Sequence, residues 1–268
     1  MTSEQEGNTV KSEENTGQNN SGLKTLQIGK KERIENNVFI IVFLPIIFLM
    51  VTLLVSFPLA IQSMTTGDMN MAAALISTAI AELIAVAIYI MYSKNKIPLD
   101  WKKKLGFQNF SWKWFTLSLV IGLLTFVLLQ VVQIFLVSGL GLDISSSETS
   151  LGAFETTGIT RYLTIFFLVP IVAPLVEEIL FRGAIFNGLL LGKMPVFWSF
   201  IIGAFAFAIM HLQGVSTFTD FFTVAWIFVV ALINCAVFYK TRSIYNTMAI
   251  HLVYNSVTVI AAVALMAV

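Results

Sequence analysis

Seven apolar segments constrain the fold of this chain more than any other feature. The segments are 37–62, 71–92, 114–138, 161–192, 195–213, 220–239 and 244–267. A helix needs roughly 20 residues to cross the hydrocarbon core of a bilayer. Charged residues make up only 12% of the chain, against about 25% in soluble domains. The sequence therefore predicts an all-α fold, a polytopic transmembrane bundle of about seven to eight membrane helices.

The first 36 residues have a different composition from the rest of the chain. Ser, Asn, Gln, Glu, Gly and Lys dominate them, so they have almost nothing to bury and are predicted to be disordered. The first apolar run exceeds the roughly 7 to 15 residues of a secretory signal core, so it is expected to stay as a membrane anchor. Two regions follow, a disordered cytoplasmic tail at 1–36 and a transmembrane domain at 37–268.

The distribution of Lys and Arg predicts the orientation in the membrane. If the segments alternate in direction, fourteen of the 16 basic residues lie on one side, with Arg161 and Arg182 as the exceptions. Basic residues collect on the cytoplasmic side, so the N-terminus is expected in the cytoplasm. We expect an integral protein of a bacterial cell membrane, with membrane lipid as a partner. Nucleic acid is not expected, because the net charge is only +1 and binding phosphates needs a clustered basic face.

The fourth segment carries three ionisable residues, Glu177, Glu178 and Arg182, within Ala173-Pro-Leu-Val-Glu-Glu-Ile-Leu-Phe-Arg-Gly183. Ionised groups at membrane depth are costly and indicate a functional site. Glu178 and Arg182 are four residues apart, so they share a helix face and can pair. Glu177 is turned about 100 degrees away. This arrangement suits one glutamate with a structural role beside one with a functional role. Pro170 and Pro174 are expected to kink the helix just ahead of the pair.

Both histidines of the chain also fall in or at the end of apolar segments. Glu177 precedes the turn 192–195 by about as many residues as separate that turn from His211. At about 1.5 Å per residue, both side chains reach similar heights on antiparallel helices, so they are predicted to meet. His251 and Asn255 share one face of the last segment. For His251 to lie at the height of Glu177, the 192–195 hairpin must extend about 10 Å beyond the membrane surface. This geometry places the site in the cytoplasmic half of the bilayer.

Three motifs appear in order, EExxxR, FxxxH and HxxxN. Their residues are Glu177, Glu178, Arg182, Phe207, His211, His251 and Asn255. Over roughly 160–257 the chain resembles the intramembrane CAAX proteases and bacteriocin-processing enzymes, also called the Abi or type II CAAX prenyl endopeptidase family. The resemblance implies a glutamate-dependent endopeptidase acting on a membrane-associated peptide or protein, in bacteriocin processing or self-immunity.

The resemblance also implies a role for each motif residue. Glu177 would be the general base that activates water, assisted by His211. His251 and Asn255 would stabilise the oxyanion that forms on the scissile carbonyl. Fixed donors in a dry cavity stabilise such charge strongly.

The remaining motif residues would support the site. Glu178 and Arg182 would brace it, although such a pair also occurs as a plain structural bridge. Phe207, one helical turn before His211, would shape it.

Other interpretations stay open. No cofactor is expected, but zinc held by Glu177, His211 and His251 is an alternative, because three protein ligands and a water make a catalytic site. A non-catalytic scaffold for peptide binding or immunity is the rival function, and an ion-coupled transporter is a third. Glu82, alone in the second segment, either lines the cavity or is protonated and hydrogen-bonded. The second is preferred, because a lone buried carboxylate usually neutralises.

Overall fold

The computed structural model describes residues 28–66, 71–107, 110–139, 141, 162–212 and 218–266. Residues 1–27 of the predicted tail and most of the loop containing Arg161 lie outside these ranges. All regular secondary structure in the described ranges is helical, which confirms the predicted all-α class.

Eight helices are described. They are α1, which joins Lys30–Val38, wider π-helical turns at Phe39–Phe43 and Leu44–Thr66; α2, Met71–Ser93; α3, Trp101–Leu105; α4, Trp112–Ile134 with π turns at Phe135–Gly139; α5, which joins Thr164–Val172, Ala173–Glu178, Ile179–Asn187 and Gly188–Leu191; α6, Val196–Ile209; α7, Phe218–Thr241; and α8, Ile244–Met266.

Every predicted apolar segment coincides over most of its length with one of these helices. In the described residues, α1, α2, α4, α5 and α7 are long and apolar enough to cross a membrane. Helix α6 has 14 residues and is shorter than a full span, whereas α8 has 23 residues. Helix α3 lies in the loop after α2. The molecule is a polytopic helical bundle, as predicted, and an integral membrane protein.

The N-terminal part of α1 begins inside the predicted tail, at Lys30. Its polar residues make specific contacts with the end of α5. Asn36 donates a side-chain hydrogen bond to the carbonyl of Gly188 at 2.9 Å, and Asn37 donates to the carbonyl of Gly192 at 3.1 Å. The last carbonyls of a helix lack donors within the helix. Asn37 supplies such a donor to Gly192. The Gly188 carbonyl also accepts from the N–H of Gly192, so Asn36 adds a second hydrogen bond there. The polar composition here therefore reflects packing.

Helix α5 lies at the centre of the bundle, in contact with α2, α6, α7 and α8. Small residues permit this packing. Ala81 and Ala85 of α2 are fully buried in the same core cluster as Leu180 and Phe181 of α5. Close approach of membrane helices depends on such small side chains. The acidic pair of α5 is therefore surrounded by protein and not by lipid.

Candidate active site

Glu178 and Arg182 form an ion pair on the buried face of α5. The Nη1 atom of Arg182 lies 3.0 Å from Oε1 of Glu178, and both side chains are completely excluded from solvent. Asn234 of α7 donates a further hydrogen bond to the same oxygen at 3.4 Å. Buried charges need a partner of opposite charge and additional hydrogen bonds. The predicted pairing of these two residues is present in the structure.

His251 of α8 lies between the two glutamates. Its Nδ1 is 3.0 Å from Oε1 of Glu178, a hydrogen-bond distance. Its Nε2 is 3.6 Å from Oε2 of Glu177, close enough for an ion pair but longer than a good hydrogen bond. The Glu177 side chain is 18% exposed, whereas that of Glu178 is fully buried. Glu177 is thus the accessible carboxylate of the pair.

Phe207 of α6 connects three polar groups of the site. The Arg182 guanidinium lies 4.3 Å from the centre of its ring, an arrangement in which the ring face attracts the cation. The ring also meets His251 edge to face at 5.4 Å, and its centre is 4.7 Å from that of His211. Phe207 itself is 2% exposed. One aromatic side chain therefore holds α6 against the charged residues of α5 and the histidine of α8.

His211 lies just beyond the C-terminal end of α6. Its Nδ1 is 2.9 Å from the carbonyl oxygen of Phe207. A carbonyl only accepts, so Nδ1 donates, and in the neutral ring Nε2 carries the free lone pair. The rings of Phe181 and Phe207 pack at 5.1 Å. Glu177 lies four residues before Phe181, and His211 lies four residues after Phe207. Because α5 and α6 run in opposite directions, both residues are displaced from the ring contact in the same direction along the bundle. This agrees with the predicted equal heights.

The predicted direct meeting of Glu177 with His211 is not seen as an ion pair between these two described residues. The histidine in ion-pair range of Glu177 is His251. The sequence count assumed a helix up to residue 213, but α6 ends at Ile209. Beyond that point the chain turns, and the ring of His211 packs on Phe207. The two groups share a level of the bundle without an ion pair between them.

Asn255 supports the backbone of α5 ahead of the glutamates. Its Nδ2 donates to the carbonyl of Val169 at 3.2 Å. The N–H of Ala173 reaches back to Leu168, one residue further than in an α-helix. Residue 174 is proline, which has no N–H to offer. The Val169 carbonyl therefore lacks its usual donors within the helix, and Asn255 replaces them. The turns around the prolines of α5 are of the wider π-helical type; the predicted kink stays a prediction.

Two polar contributors were not predicted. Asn234 interrupts an apolar run of α7 and is fully buried. A single asparagine in an apolar membrane helix commonly hydrogen-bonds to a neighbouring helix. The residue type of Asn234 could therefore have indicated this contact. The carbonyl of Val169 could not be identified from residue type, because every residue has one. This carbonyl is identified only by the hydrogen-bonding pattern around Pro174.

A zinc site would need Glu177, His211 and His251 close together. The described residues contain no group of three or more His, Cys, Asp and Glu side chains that could hold a metal ion. Glu177, His211 and His251 are thus not gathered into such a group.

An apolar cavity of about 370 Å³ lies beside this cluster, between α1, α5 and α6. Its lining includes Ile40, Leu44, Phe181 and Met210. Phe181 also packs against Phe207. The cavity is therefore separated from the charged residues by a pair of aromatic rings.

The fold and the site together define an integral membrane protein with a carboxylate and imidazole centre inside its helical bundle. Residues 159–257 match the model of the family described as "Type II CAAX prenyl endopeptidase Rce1-like". The match begins just before α5, ends within α8 and includes every residue of the three motifs, which confirms the predicted resemblance. The matched family is one of membrane endopeptidases. Comparisons with curated proteins and with solved structures gave no match.

Proposed function

We propose that the protein is an intramembrane endopeptidase in which Glu177 activates the water that cleaves a membrane-associated peptide or protein. One observation carries the proposal. Two adjacent glutamates have different surroundings, since Glu178 is buried against Arg182 while Glu177 remains accessible beside His251. A carboxylate held in an ion pair is a poor base for substrate chemistry. Its free neighbour is the group able to accept a proton.

The reaction follows from this division. Glu177 removes a proton from water, and the resulting hydroxide attacks the carbonyl carbon of the scissile peptide bond. The proton held by Glu177 then passes to the nitrogen of the leaving amine as the C–N bond breaks. A positioned base commonly contributes about 10²- to 10⁴-fold to such a rate. Neither a serine nor a cysteine nucleophile takes part.

The developing oxyanion needs donors at fixed positions. His251 is held by the hydrogen bond from Nδ1 to Glu178, and in the protonated ring, where both nitrogens donate, it presents Nε2–H to the oxyanion. Asn255 uses one amide hydrogen on Val169 and has a second to offer. His211, with its free Nε2 at the level of Glu177, assists in orienting the water. Arg182 and Phe207 keep Glu178 and His251 in place.

The expected location and substrate complete the proposal. The positive-inside bias supports a cytoplasmic N-terminus, and we place the protein in a bacterial cell membrane. The buried site supports a peptide or membrane-protein substrate presented from the bilayer. Processing of a bacteriocin or self-immunity to one is the proposed biological setting. No metal is assigned a step in this mechanism.

The test is cleavage by the full-length protein in liposomes, with products identified by mass spectrometry of membrane peptides. Glu177→Gln and His211→Ala should each lower cleavage at least about 100-fold, because the base or its assistant is lost. Glu35→Gln is the control, since that glutamate pairs with Lys96 far from the site and should leave cleavage unchanged. Cleavage that survives in both folded site variants would contradict the roles given to Glu177 and His211. Absence of cleavage by folded wild type would favour the non-catalytic scaffold.

A further inference from the structure

Arg242 carries a buried guanidinium to which the proposed mechanism gives no task. It lies in the turn between α7 and α8 and is 6% exposed. Its Nε and Nη1 atoms are buried and have no hydrogen-bond partner in the described part of the chain. None of the ion pairs among the described residues includes it. A buried charge is costly unless an acceptor meets it.

The end of α7 does not supply that acceptor. The last carbonyls of a helix can accept from a nearby arginine. The backbone N–H of Arg242 bonds to the Phe238 carbonyl at 2.7 Å, whereas Nε and Nη1 bond to no carbonyl of the described residues. The guanidinium instead lies 4.8 Å from the centre of the Tyr239 ring. The ring face attracts the cation, but it does not replace a charged acceptor.

Two features next to Arg242 in the chain favour an anion. Ser243 is fully buried, and its Oγ also has no hydrogen-bond partner within the described ranges. Helix α8 begins at Ile244 and has 23 residues, so the positive end of its dipole directly follows these two side chains. Helix starts bind phosphate and other anions. The guanidinium, the hydroxyl and the helix start together have the chemistry of an anion site.

The position of the turn favours a lipid phosphate over a phosphate in solution. Helix α7 is an apolar candidate span that ends at Thr241, so Arg242 follows at the membrane surface. Tyr239 packs on Phe200 of α6, with ring centres 5.7 Å apart. One turn before Phe200, Phe197 is 65% exposed. Aromatic side chains at the ends of membrane helices lie at the level of the headgroups. The anion site therefore borders an apolar surface suited to the rest of a lipid.

We propose that Arg242, Ser243 and the start of α8 bind the phosphate group of a membrane phospholipid. The guanidinium donates to the phosphate oxygens, an arrangement that arginine favours, and the Ser243 hydroxyl adds a donor. The acyl chains lie along the exposed aromatic face at the start of α6. His251 is seven residues beyond Ile244, about 10 Å along α8, so the lipid site is distinct from the proposed active site and does not depend on the proposed function.

Binding can be measured on the full-length protein in a detergent that contains no phosphate. The probe is short-chain phosphatidylglycerol, and native mass spectrometry follows its binding. Arg242→Gln should lower the affinity about tenfold or more, because the charge-assisted hydrogen bonds are lost. Lys240→Gln is the matched control. It removes the same charge from an exposed residue of α7 and should change the affinity less than about threefold. Equal losses in the two variants would overturn the proposal.

Thermal unfolding gives a result that a purely structural arginine would not give. Without lipid, Arg242→Gln should unfold at the temperature of wild type or above it, because the buried charge has no acceptor. Added phosphatidylglycerol should raise the unfolding temperature of wild type but not that of Arg242→Gln. A lower unfolding temperature without lipid, together with an unchanged response to lipid, would show a structural role and contradict the proposal.

Ser243→Ala tests the same site while keeping the guanidinium, so it serves even if Arg242→Gln does not fold. It should lower the affinity about threefold, because one donor to the phosphate is lost. An affinity equal to that of wild type would contradict the role given to this hydroxyl.

Two further ligands identify the source of the phosphate. Short-chain diacylglycerol lacks the phosphate group and should bind at least about tenfold more weakly than phosphatidylglycerol. Inorganic phosphate lacks the acyl chains and should also bind at least about tenfold more weakly. Equal binding of diacylglycerol would contradict recognition of a phosphate. Equal binding of inorganic phosphate would overturn the assignment to a lipid.

Discussion

Glu178 and Arg182 form an ion pair in which neither side chain has any solvent exposure, with Nη1 and Oε1 3.0 Å apart. Glu178→Gln alone leaves a buried guanidinium without a counter-charge, and we expect a loss of about 3 to 5 kcal/mol in the free energy of unfolding. Arg182→Gln should cost a similar amount. Thermal unfolding in detergent micelles measures both effects.

The double variant provides the control for this pair. Glu178→Gln combined with Arg182→Gln removes both charges, so its destabilisation should be smaller than the sum of the two single losses. Additive losses would show that the two charges do not stabilise one another.

Asn255 replaces a donor that Pro174 cannot supply to the Val169 carbonyl. Asn255→Ala should therefore cost about 1 to 3 kcal/mol, because a buried acceptor loses its partner. Pro174→Ala restores a backbone N–H, so the Asn255→Ala loss should be smaller in the Pro174→Ala background. Unfolding of the four proteins measures this coupling. Thr258→Val is a control on α8, because its hydroxyl bonds only within that helix, to Tyr254.

Gly122 permits the close contact of α4 with α8. A Cβ at this position would lie 2.7 Å from the backbone oxygen of Ile250, the residue before His251. Gly122→Ala should force the helices apart at a cost of about 1 to 3 kcal/mol and lower cleavage by displacing His251. Gly139→Ala is the matched control, because its nearest neighbour is the Phe135 side chain at 3.3 Å. Equal effects of the two changes would contradict this interpretation.

Phe207 is expected to matter through its ring. Phe207→Leu keeps an apolar side chain but removes the ring contact with Arg182, which contributes about 0.5 to 2 kcal/mol at such sites. Phe207→Leu also removes the ring that packs against His211 and His251. These side chains are then less well positioned, so cleavage should fall about tenfold or more. Phe205→Leu on the same helix alters a residue that is 53% exposed and should change neither stability nor cleavage. Cleavage assays of Phe207→Leu and Phe205→Leu in liposomes would test whether the ring of Phe207 is required.

Lys104 makes the stability depend on pH. It is buried in α3, with Nζ donating to the Ser93 carbonyl at 2.8 Å. Burial lowers the pKa of Lys104 from its usual 10.5. The desolvation cost of its charge is therefore full below the folded-state pKa and is relieved as the pH rises through it. Between pH 7 and pH 10, wild type should gain stability relative to Lys104→Met. Parallel curves of unfolding temperature against pH would contradict this.

Part of the site was predictable because it depends on helical spacing alone. Glu178 and Arg182 are four residues apart, and that spacing places them on one face wherever the helix packs. The heights of Glu177 and His211 followed from the rise per residue. An ion pair between them did not follow, because α6 ends at Ile209 and the ring of His211 packs on Phe207.

The membrane location, the seven helical segments and the difference between Glu177 and Glu178 could all be predicted from the amino-acid sequence. Length, apolar composition and local spacing are properties of the chain before it packs. Two contacts follow only from the packing of the helices: His251 lies between the glutamates, and Asn255 bonds to Val169. These contacts join residues far apart in the chain. They depend on how small residues such as Gly122, Ala81 and Ala85 let the helices approach.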